Sequence, residues 1–199
     1  MQRLLITSII SFLFIFTVNA QNKRIIKDNF ETNRFQWDEY YENNSSASIQ
    51  DGCLLLKCNE DNLMAWTVSE LPINVDNNFN LSFNFLTREI NDDYWFGIVL
   101  NYEDENNFLY FVVQEKKFQL VKRVNGVNSI VRRNAIILKK GKDKVVNIKV
   151  NKKGNKLDFL VDDMDVITIT KMLDFNTFGC IICGDKTIKL TELTIEQIE

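Results

Sequence analysis

The sequence contains no histidine, one proline, 7 glycines and 4 cysteines among its 199 residues. Histidine is the commonest general base and a frequent ligand of catalytic zinc, so its absence excludes Ser-His-Asp and Cys-His catalysis. The scarcity of glycine and proline, together with 12% aromatic residues, argues against collagen-like and disordered chains. The formal net charge of -3 disfavours nucleic acid as a partner, because a phosphate backbone binds clustered lysine and arginine.

The first 20 residues have the composition of a secretory signal peptide. Arg3 supplies a basic start, residues 4–18 form an apolar stretch, and Val18-Asn19-Ala20 gives a small-residue cleavage motif before Gln21. An uncleaved membrane anchor is the alternative, but about 15 apolar residues fall short of the roughly 20 that span the hydrocarbon. We therefore predict a signal peptide over 1–20. We expect the remaining chain to be secreted, periplasmic or held at the cell surface, with no membrane span.

Strand-like runs separated by turn residues fill the rest of the chain. Asn78 to Phe85 alternates strictly between apolar and polar residues, which is typical of a strand with one buried face. The last run changes the parity of its apolar residues after Leu190, which predicts a β-bulge near Thr191 or Glu192. Residues 21–199 are predicted to form one all-β domain, a two-sheet antiparallel β-sandwich, because the strands alternate with turns and no convincing helix appears. The other runs are Gly52 to Cys58, Met64 to Ser69, Tyr94 to Tyr102, Asn107 to Glu115, Phe118 to Arg123, Lys144 to Asn151, Lys156 to Val161, Asp165 to Thr170, Phe178 to Cys183 and Thr187 to Glu196.

The cysteines leave two interpretations open. Within a strand, the rise per residue separates Cys53 from Cys58 by about 16 Å and Cys180 from Cys183 by about 10 Å. Disulfide Cα atoms lie less than about 7 Å apart, which excludes a disulfide within either run. Any disulfide must then join one run to the other, and the alternative is that all four cysteines are free and act as small buried hydrophobes.

Pairing the central strands through their shortest turns predicts two chemically different sheet faces. Leu86 would oppose Trp95, and Asn84 would oppose Gly97. Val99 would oppose Tyr110, and across the next turn Gln114 would oppose Gln119 and Tyr110 would oppose Arg123. One face is then uniformly apolar and is the predicted core: Phe83, Phe85, Phe96, Ile98, Leu109, Phe111, Val113 and Leu120.

The opposite face mixes aromatic rings with amides and a guanidinium group. Sugars stack on aromatic rings and bond to such polar groups, so we interpret this face as a candidate saccharide-binding surface, with Gly97 leaving room beside the rings. Coverage by loops or by another domain is the alternative. Trp37 and Trp66 are assigned to packing. The candidate ligand-binding residues are Trp95, Tyr110, Gln114, Gln119, Arg123, Asn84 and Asn101.

Several blocks of the sequence resemble the concanavalin A-like lectin/glucanase superfamily. They are Asp28-Asn29-Phe30 with Trp37, the run from Ile49 to Gly52, the central block Asn91 to Val113, and Phe178-Gly179 before a closing strand. The pattern is similar to exported bacterial domains of the laminin-G-like or sugar-hydrolase-like type. The resemblance implies a jelly-roll sandwich, and it also implies functions that range from lectins and carbohydrate-binding modules to glucanases.

The acidic residues do not match the glucanase pattern. Glucanases of this superfamily carry Glu-x-Asp-x-x-Glu or Glu-x-Asp-x-Glu on one strand, and neither motif occurs here. The nearest cluster, Glu103-Asp104-Glu105, falls at an expected turn. Asp162, Asp163 and Asp165 also fall at a turn, where calcium is an alternative to plain solvation, and we predict no other cofactor.

We therefore expect an exported, non-catalytic domain that binds a saccharide or a cell-surface glycan. One alternative is a structural or sensory protein-interaction domain. Another is a glycoside hydrolase that uses a carboxylate pair from different strands.

Overall fold

The computed structural model describes residues 23–88, 90, 93–135, 143–170 and 176–198. The predicted signal peptide over 1–20 lies outside the described residues, as do Asn91 and Asp92 at the start of the central block. Regular structure in the described ranges is entirely β-strand, as the alternating runs predict. A helix with the length and hydrophobicity needed to cross a bilayer is not found in these ranges.

The strands follow one another closely along the chain. They are β1 (Lys23–Asp28), β2 (Tyr40–Tyr41), β3 (Ser45–Gln50), β4 (Cys53–Cys58), β5 (Met64–Glu70), β6 (Asn78–Thr87), β7 (Trp95–Asp104), β8 (Asn107–Val113), β9 (Phe118–Val124), β10 (Val127–Asn134), β11 (Lys144–Lys153), β12 (Lys156–Val161), β13 (Met164–Thr170), β14 (Thr177–Cys183) and β15 (Lys186–Ile198). The sequence did not predict β1, β2, β3 or β10, whose residues lack a clear alternation of apolar and polar side chains.

The strands form two antiparallel sheets, which confirms the predicted β-sandwich. Sheet A has the order β13-β12-β11-β6-β15-β4-β3-β2, and β1 also pairs with β15. Sheet B has the order β10-β9-β8-β7-β14-β5. β15 is the longest strand, and it pairs with β4 along its first half, with β1 along its second half and with β6 on its other side.

The core lies between the sheets and consists largely of aromatic rings. Phe85 of sheet A contacts Phe96 of sheet B with ring centroids 5.5 Å apart, and Phe111 contacts Phe159 at 5.1 Å. The eight predicted core residues, from Phe83 to Leu120, are all buried in this cluster. The alternation of the sequence therefore identified the inner faces of β6, β7, β8 and β9 correctly.

The N-terminal block that carries the resemblance is held by a buried carboxylate. Asp28 accepts hydrogen bonds from the Phe30 backbone nitrogen at 3.0 Å and from Trp37 Nε1 at 3.3 Å. The Trp37 ring then packs edge-on against Phe178 at 5.2 Å. The prediction that Trp37 is a packing residue is confirmed.

Local irregularities also follow the sequence. The register of β15 against β6 shifts between Leu190 and Glu192, which confirms the predicted bulge. Asn125 and Gly126 both have positive φ, as do Asp162 and Asp163, so each pair forms a tight turn between adjacent strands. Asn and Asp tolerate this left-handed region better than other side chains do.

The predicted hairpin between β6 and β7 is wrong. β6 pairs with β11 and β15 in sheet A, whereas β7 pairs with β8 and β14 in sheet B. Leu86 therefore does not oppose Trp95, and Asn84 does not oppose Gly97. The chain crosses from one sheet to the other between these strands, and the apolar sides of β6 and β7 meet across the core instead of side by side.

The predicted register of β8 against β9 is wrong by two residues. Gln119 pairs with Val112, and Arg123 pairs with Phe108, because residues 114–117 form a longer loop than a pairing of Gln114 with Gln119 requires. The Gln114 backbone nitrogen closes this loop by donating to the Lys117 carbonyl at 3.0 Å. A shift of two residues preserves the side of the sheet on which each residue lies, so the face assignment survives. Val99 opposes Tyr110 as predicted.

Candidate functional site

The outer face of sheet B is built from rows of residues that run across its strands. One row consists of Trp66, Ile181, Gly97, Val112 and Gln119 on β5, β14, β7, β8 and β9. The next row consists of Val68, Gly179, Val99, Tyr110 and Val121 on the same strands. Both rows are uncharged, and they cross five of the six strands of the sheet.

Aromatic rings connect these rows into a second apolar cluster, separate from the core between the sheets. Trp95 stacks on Tyr110 with centroids 5.7 Å apart and an interplanar angle of 16°. Phe108 lies 5.5 Å from Tyr110, 5.8 Å from Tyr102 and 5.6 Å from Trp66. Tyr110 and Phe108 are buried beneath their neighbours, whereas Trp66, Trp95 and Tyr102 are only partly buried. We call these five residues the aromatic face.

Two glycines explain how the rings come together. β5 and β8 are separated by two strands, which corresponds to about 14 Å at the usual strand spacing, and yet the Trp66 and Phe108 rings are in contact. Gly179 and Gly97 lie on the two intervening strands and present no side chain. A Cβ at Gly97 would lie 1.9 Å from the Phe111 carbonyl oxygen, and one at Gly179 would lie 2.2 Å from the Thr67 oxygen. The backbones of the neighbouring strands are too close to these two positions for a side chain to fit. The aromatic rings of the adjacent strands fill the space that we predicted beside Gly97.

A polar rim borders the aromatic face along β9 and β10. Arg123 lies over the Phe108 ring at 6.0 Å, and its Nε donates to the Glu105 carbonyl at 3.0 Å. Its Nη1 donates to Asn128 Oδ1 at 3.3 Å. Gln119 accepts from Arg133 Nε and Nη2, both at 2.9 Å, in the amide orientation that satisfies both groups. These contacts hold the Arg123 guanidinium group beside the rings and fix the Arg133 group against Gln119 on the neighbouring strand.

The aromatic face changes the acidity of its tyrosine. Burial raises the pKa of Tyr110 to about 12, against a smaller lowering influence from the nearby Arg123. Tyr110 therefore stays protonated at neutral pH, and its hydroxyl group is a hydrogen-bond donor.

Most of the predicted ligand-binding residues lie on this side of sheet B. Trp95, Tyr110, Gln119 and Arg123 share its outer face, as predicted. Gln114 lies in the loop after β8 and is partly buried. The structure therefore brings the central members together but leaves the two outlying residues, Asn101 and Asn84, elsewhere.

Asn101 lies at the bulge of β7, where its φ is 49°. It lines a cavity of about 240 Å³ near the hairpins at this end of sheet B, together with Phe108 and Arg123. Ile169 of sheet A also lines this cavity, so Asn101 stands at the entrance to the space between the sheets.

The prediction that Asn84 shares the surface of Trp95 is wrong. Asn84 lies on β6, on the outer face of sheet A. Its Oδ1 accepts from Asn147 Nδ2 at 2.6 Å, and its Nδ2 donates to Glu192 at 3.5 Å. The error follows from the wrong β6–β7 hairpin, because a strand in the other sheet turns its polar side to the opposite surface.

Sequence reasoning missed Trp66 as a member of this face. Trp66 does pack, as predicted, but it packs in the outer cluster: it pairs with Ile181, and its ring contacts Phe108. The alternation of Met64, Trp66 and Val68 was a signal for one shared face. The sequence did not show that β5 lies near β7, because the strand that pairs with both of them, β14, comes much later in the chain.

The cysteines and the acidic turn form neither a disulfide nor a metal cluster in the described residues. All four cysteines are free, and burial raises the pKa of Cys180 and Cys183. Asp162 accepts from Lys144 Nζ and from the Asn147 backbone nitrogen, both at 3.0 Å, and Asp163 pairs with Lys149. No group of three or more Cys, Asp or Glu side chains suited to a metal occurs within these ranges.

Comparison with known proteins gives likeness in structure but not in sequence. No protein-family model and no curated protein sequence matches the chain. A carbohydrate-binding module, CBM66 from Bacillus subtilis, superimposes with a TM-score of 0.58 at 14% identity, covering 78% of this chain and 94% of that one. A protein of unknown function with a galectin-like fold, also from Bacillus subtilis, gives 0.63 at 12% identity and covers 87% and 95%.

A catalytic domain is as similar to this chain in structure as the binding module is. The endo-1,3-beta-glucanase (laminarinase) domain of Thermotoga petrophila RKU-1 superimposes with a TM-score of 0.59 at 7% identity, covering 90% of this chain and 99% of that one. Binding modules and glycoside hydrolases thus share the architecture. The chain has the concanavalin A-like jelly-roll fold that these structures have in common.

Proposed function

We propose that this chain is an exported, non-catalytic carbohydrate-binding domain and that saccharide binds on the aromatic face of sheet B. The observation that carries the proposal is the stacked pair of Trp95 and Tyr110, with Trp95 partly exposed beside a rim of guanidinium and amide groups. Aromatic rings present flat apolar surface to the C–H faces of a sugar, and the rim supplies donors to its hydroxyl groups. Several structural neighbours are carbohydrate-binding modules or carbohydrate recognition domains by their own descriptions.

The absence of charge from the two central rows favours binding over hydrolysis. Retaining and inverting glycosidases need two carboxyl groups on either side of the scissile bond, one of which has a raised pKa. The two rows that cross β5, β14, β7, β8 and β9 contain no carboxylate. Hydrogen bonds from Asn107 and Lys23 lower the pKa values of Asp104 and Glu196. Desolvation raises the pKa of Asp158, but hydrogen bonds from Thr168 and Lys156 outweigh it, so this pKa is lowered as well.

Binding and its location are tested together by a glycan array followed by affinity electrophoresis. Trp95→Ala and Trp66→Ala should each weaken saccharide binding by about tenfold, because exposed tryptophans commonly dominate binding energy. Tyr41→Ala is the matched control, since Tyr41 is an aromatic residue on sheet A that is 77% exposed. The proposal fails if no saccharide is retained, or if Trp95→Ala binds as well as the wild-type protein while its circular dichroism spectrum is unchanged.

Hydrolysis and export have their own measurements. Incubation with each bound polysaccharide should release no reducing ends, and release would favour the glucanase alternative. Export is supported by the basic and apolar pattern of residues 1–20. Expression of the whole chain in a secreting host should yield a secreted product whose mass corresponds to a chain that starts at Gln21. A full-length product that stays inside the cells would contradict export.

A protein-interaction domain is the second candidate, and the edge of sheet B favours it. β10 is an edge strand with exposed apolar side chains, including Val127 at 69% and Ile130 at 50%. Exposed apolar residues on an unpaired edge are typical of strand-to-strand contact with another protein. Hydrogen-exchange protection of β10 by a co-purified protein, without saccharide binding, would support this candidate.

A further inference from the structure

A second cleft lies at the end of sheet A, away from the aromatic face. It forms where β4 and β6 end and β15 begins, and it has a volume of about 970 Å³. This volume is near the upper end of the range for ligand sites, about 300 to 1,000 Å³. Four basic side chains line it, Lys57, Arg88, Lys186 and Lys189, against two described carboxylates, Asp143 and Asp185. The chain as a whole is acidic, with a formal charge of -3, so this is a local concentration of positive charge.

The register of the strands brings these cations close to Thr187. Thr187 of β15 pairs with Lys57 of β4, and Lys189, two residues further along β15, pairs with Leu86 of β6. Arg88 lies just past the end of β6, two residues after Leu86, and lines the cleft together with Thr187. Neighbouring strands are about 4.8 Å apart and diagonal neighbours about 7 to 8 Å, so the three cationic side chains start within about 10 Å of each other.

Among the described residues, Lys57, Arg88 and Lys189 lack the carboxylate partners that five other lysines of sheet A have. Lys23, Lys27, Lys144, Lys149 and Lys156 each pair with a carboxylate. Within the described ranges, no carboxylate lies within ion-pair distance of Lys57, Arg88 or Lys189. Like charges on adjacent strands repel each other, and an anion between them relieves this repulsion.

We propose that this cleft binds a polyanion of oligosaccharide size, through carboxylate, sulfate or phosphate groups seated among Lys57, Arg88 and Lys189. Anionic oxygens accept charge-assisted hydrogen bonds from ammonium and guanidinium groups. Thr187 lines the same cleft, and its hydroxyl provides a further donor. The site uses other residues, and the other sheet, than the aromatic face, so it does not depend on the proposed function.

Isothermal titration calorimetry with three probes tests the cleft and separates the anionic groups. The probes are a heparin-derived tetrasaccharide for sulfate, tetragalacturonate for carboxylate and tripolyphosphate for phosphate. At least one should bind the purified protein at low ionic strength and lose affinity as salt is added. The probe that binds most tightly identifies the preferred group, and the absence of binding by all three overturns the proposal.

A charge-matched pair of variants locates the binding. The cleft variant combines Lys57→Gln, Arg88→Gln and Lys189→Gln, all at exposed positions. It should weaken binding at least about tenfold, since each exposed ion pair contributes up to about fivefold. The control variant combines Lys117→Gln, Lys122→Gln and Arg132→Gln on the side of sheet B, which removes the same charge from another part of the molecule.

Equal affinity of the cleft variant and the wild-type protein would overturn the proposal, as would an equal loss in the control variant. Thermal unfolding of both variants checks that each remains folded. Trp95→Ala should leave polyanion binding unchanged, and the cleft variant should leave binding of neutral saccharides unchanged. Failure of the cleft and failure of the aromatic face are therefore distinguishable.

Discussion

Sheet A and sheet B turn chemically different faces outward. On sheet A the amides, carboxylates and lysines of adjacent strands bond to each other: Asn147 Nδ2 donates to Ser82 Oγ at 2.9 Å, and Glu196 accepts from both Lys23 and Asn80. On sheet B the corresponding positions are rings and aliphatic side chains packed side by side. A polar ladder that bonds to itself leaves few groups for a ligand. Aromatic rings on a sheet surface are stabilised only by apolar contacts, and a bound ligand can add to these contacts.

The two outer faces also differ in the residues at their centres. Sheet A carries branched or polar side chains at its central positions, whereas sheet B has Gly97 and Gly179 at the centre of its outer face. The aromatic rings of sheet B depend on this local absence of side chains.

Gly97→Ala should destabilise the protein by about 3 kcal/mol or more, because the added Cβ would lie 1.9 Å from the Phe111 carbonyl oxygen. Urea unfolding measures the change. Gly154→Ala is the control: a Cβ at Gly154 has no neighbour within 4 Å, so only its positive φ of 55° opposes the substitution. We expect a cost of about 1 kcal/mol there. Equal costs at the two positions would show that sheet B does not need a glycine.

Tyr110→Ala should cost about 3 kcal/mol, since the ring is buried among Trp95, Phe108 and Val99. Asn84→Ala on the opposite face should cost about 1 kcal/mol, the usual net value of hydrogen bonds near solvent. The free energies of unfolding of both variants decide the comparison. A larger cost for Asn84→Ala would mean that the polar ladder stabilises the fold more than the aromatic face does.

Alkaline pH should destabilise sheet B through its buried acids. Tyr110 has a pKa of about 12 in the folded protein against 10.0 when exposed, so its contribution is complete below pH 10 and is lost as the pH rises through about 12. For Cys183, with a pKa of about 11 against 9.0, the loss begins near pH 9. We expect at most about 2 kcal/mol from Tyr110. Tyr110→Phe should flatten the fall in stability above pH 10, and an unchanged fall in this variant would refute the assignment.

Lys23→Ala should have the smallest effect, about 0.5 kcal/mol, because the Lys23–Glu196 pair of sheet A is exposed to solvent. High salt should remove the difference between Lys23→Ala and the wild-type protein, as it screens the pair. Thermal unfolding at low and high ionic strength provides the measurement. A salt-independent loss would indicate that the Lys23 side chain acts through packing instead of charge.

The sequence predicted the parts of the fold that depend on neighbouring segments. The turn at Asp104-Glu105-Asn106 joins β7 to β8, so the pairing of Val99 with Tyr110 followed from chain order. The bulge near Thr191 was visible because the inward side chains of β15 change parity there. Both features are local, since they require only the alternation of side chains and the length of one turn.

The alternation of side chains and the lengths of turns do not predict pairings between strands that are far apart in the sequence. β14 lies between β7 and β5, although it follows β7 by more than seventy residues. Nothing in the alternation of β6 distinguishes a partner in its own sheet from one across the core, because both arrangements bury the same side of the strand. Asn84 was misplaced for that reason, whereas Trp66 was missed because β14, the strand between β5 and β7, comes much later in the sequence. The cationic cleft also joins three strands that are far apart in the chain.

The position of β15 determines when this protein can finish folding. β15 is central in sheet A and holds β1, β4 and β6 together, but it follows all three of them in the sequence. During synthesis, β6 and β4 therefore emerge from the ribosome long before the strand that joins them. Until residues 186–198 arrive, these two strands keep open hydrogen-bonding edges and exposed phenylalanine and leucine side chains. Closure of sheet A therefore waits for β15, and until then the open edges of β4 and β6 are sites where strands can mispair.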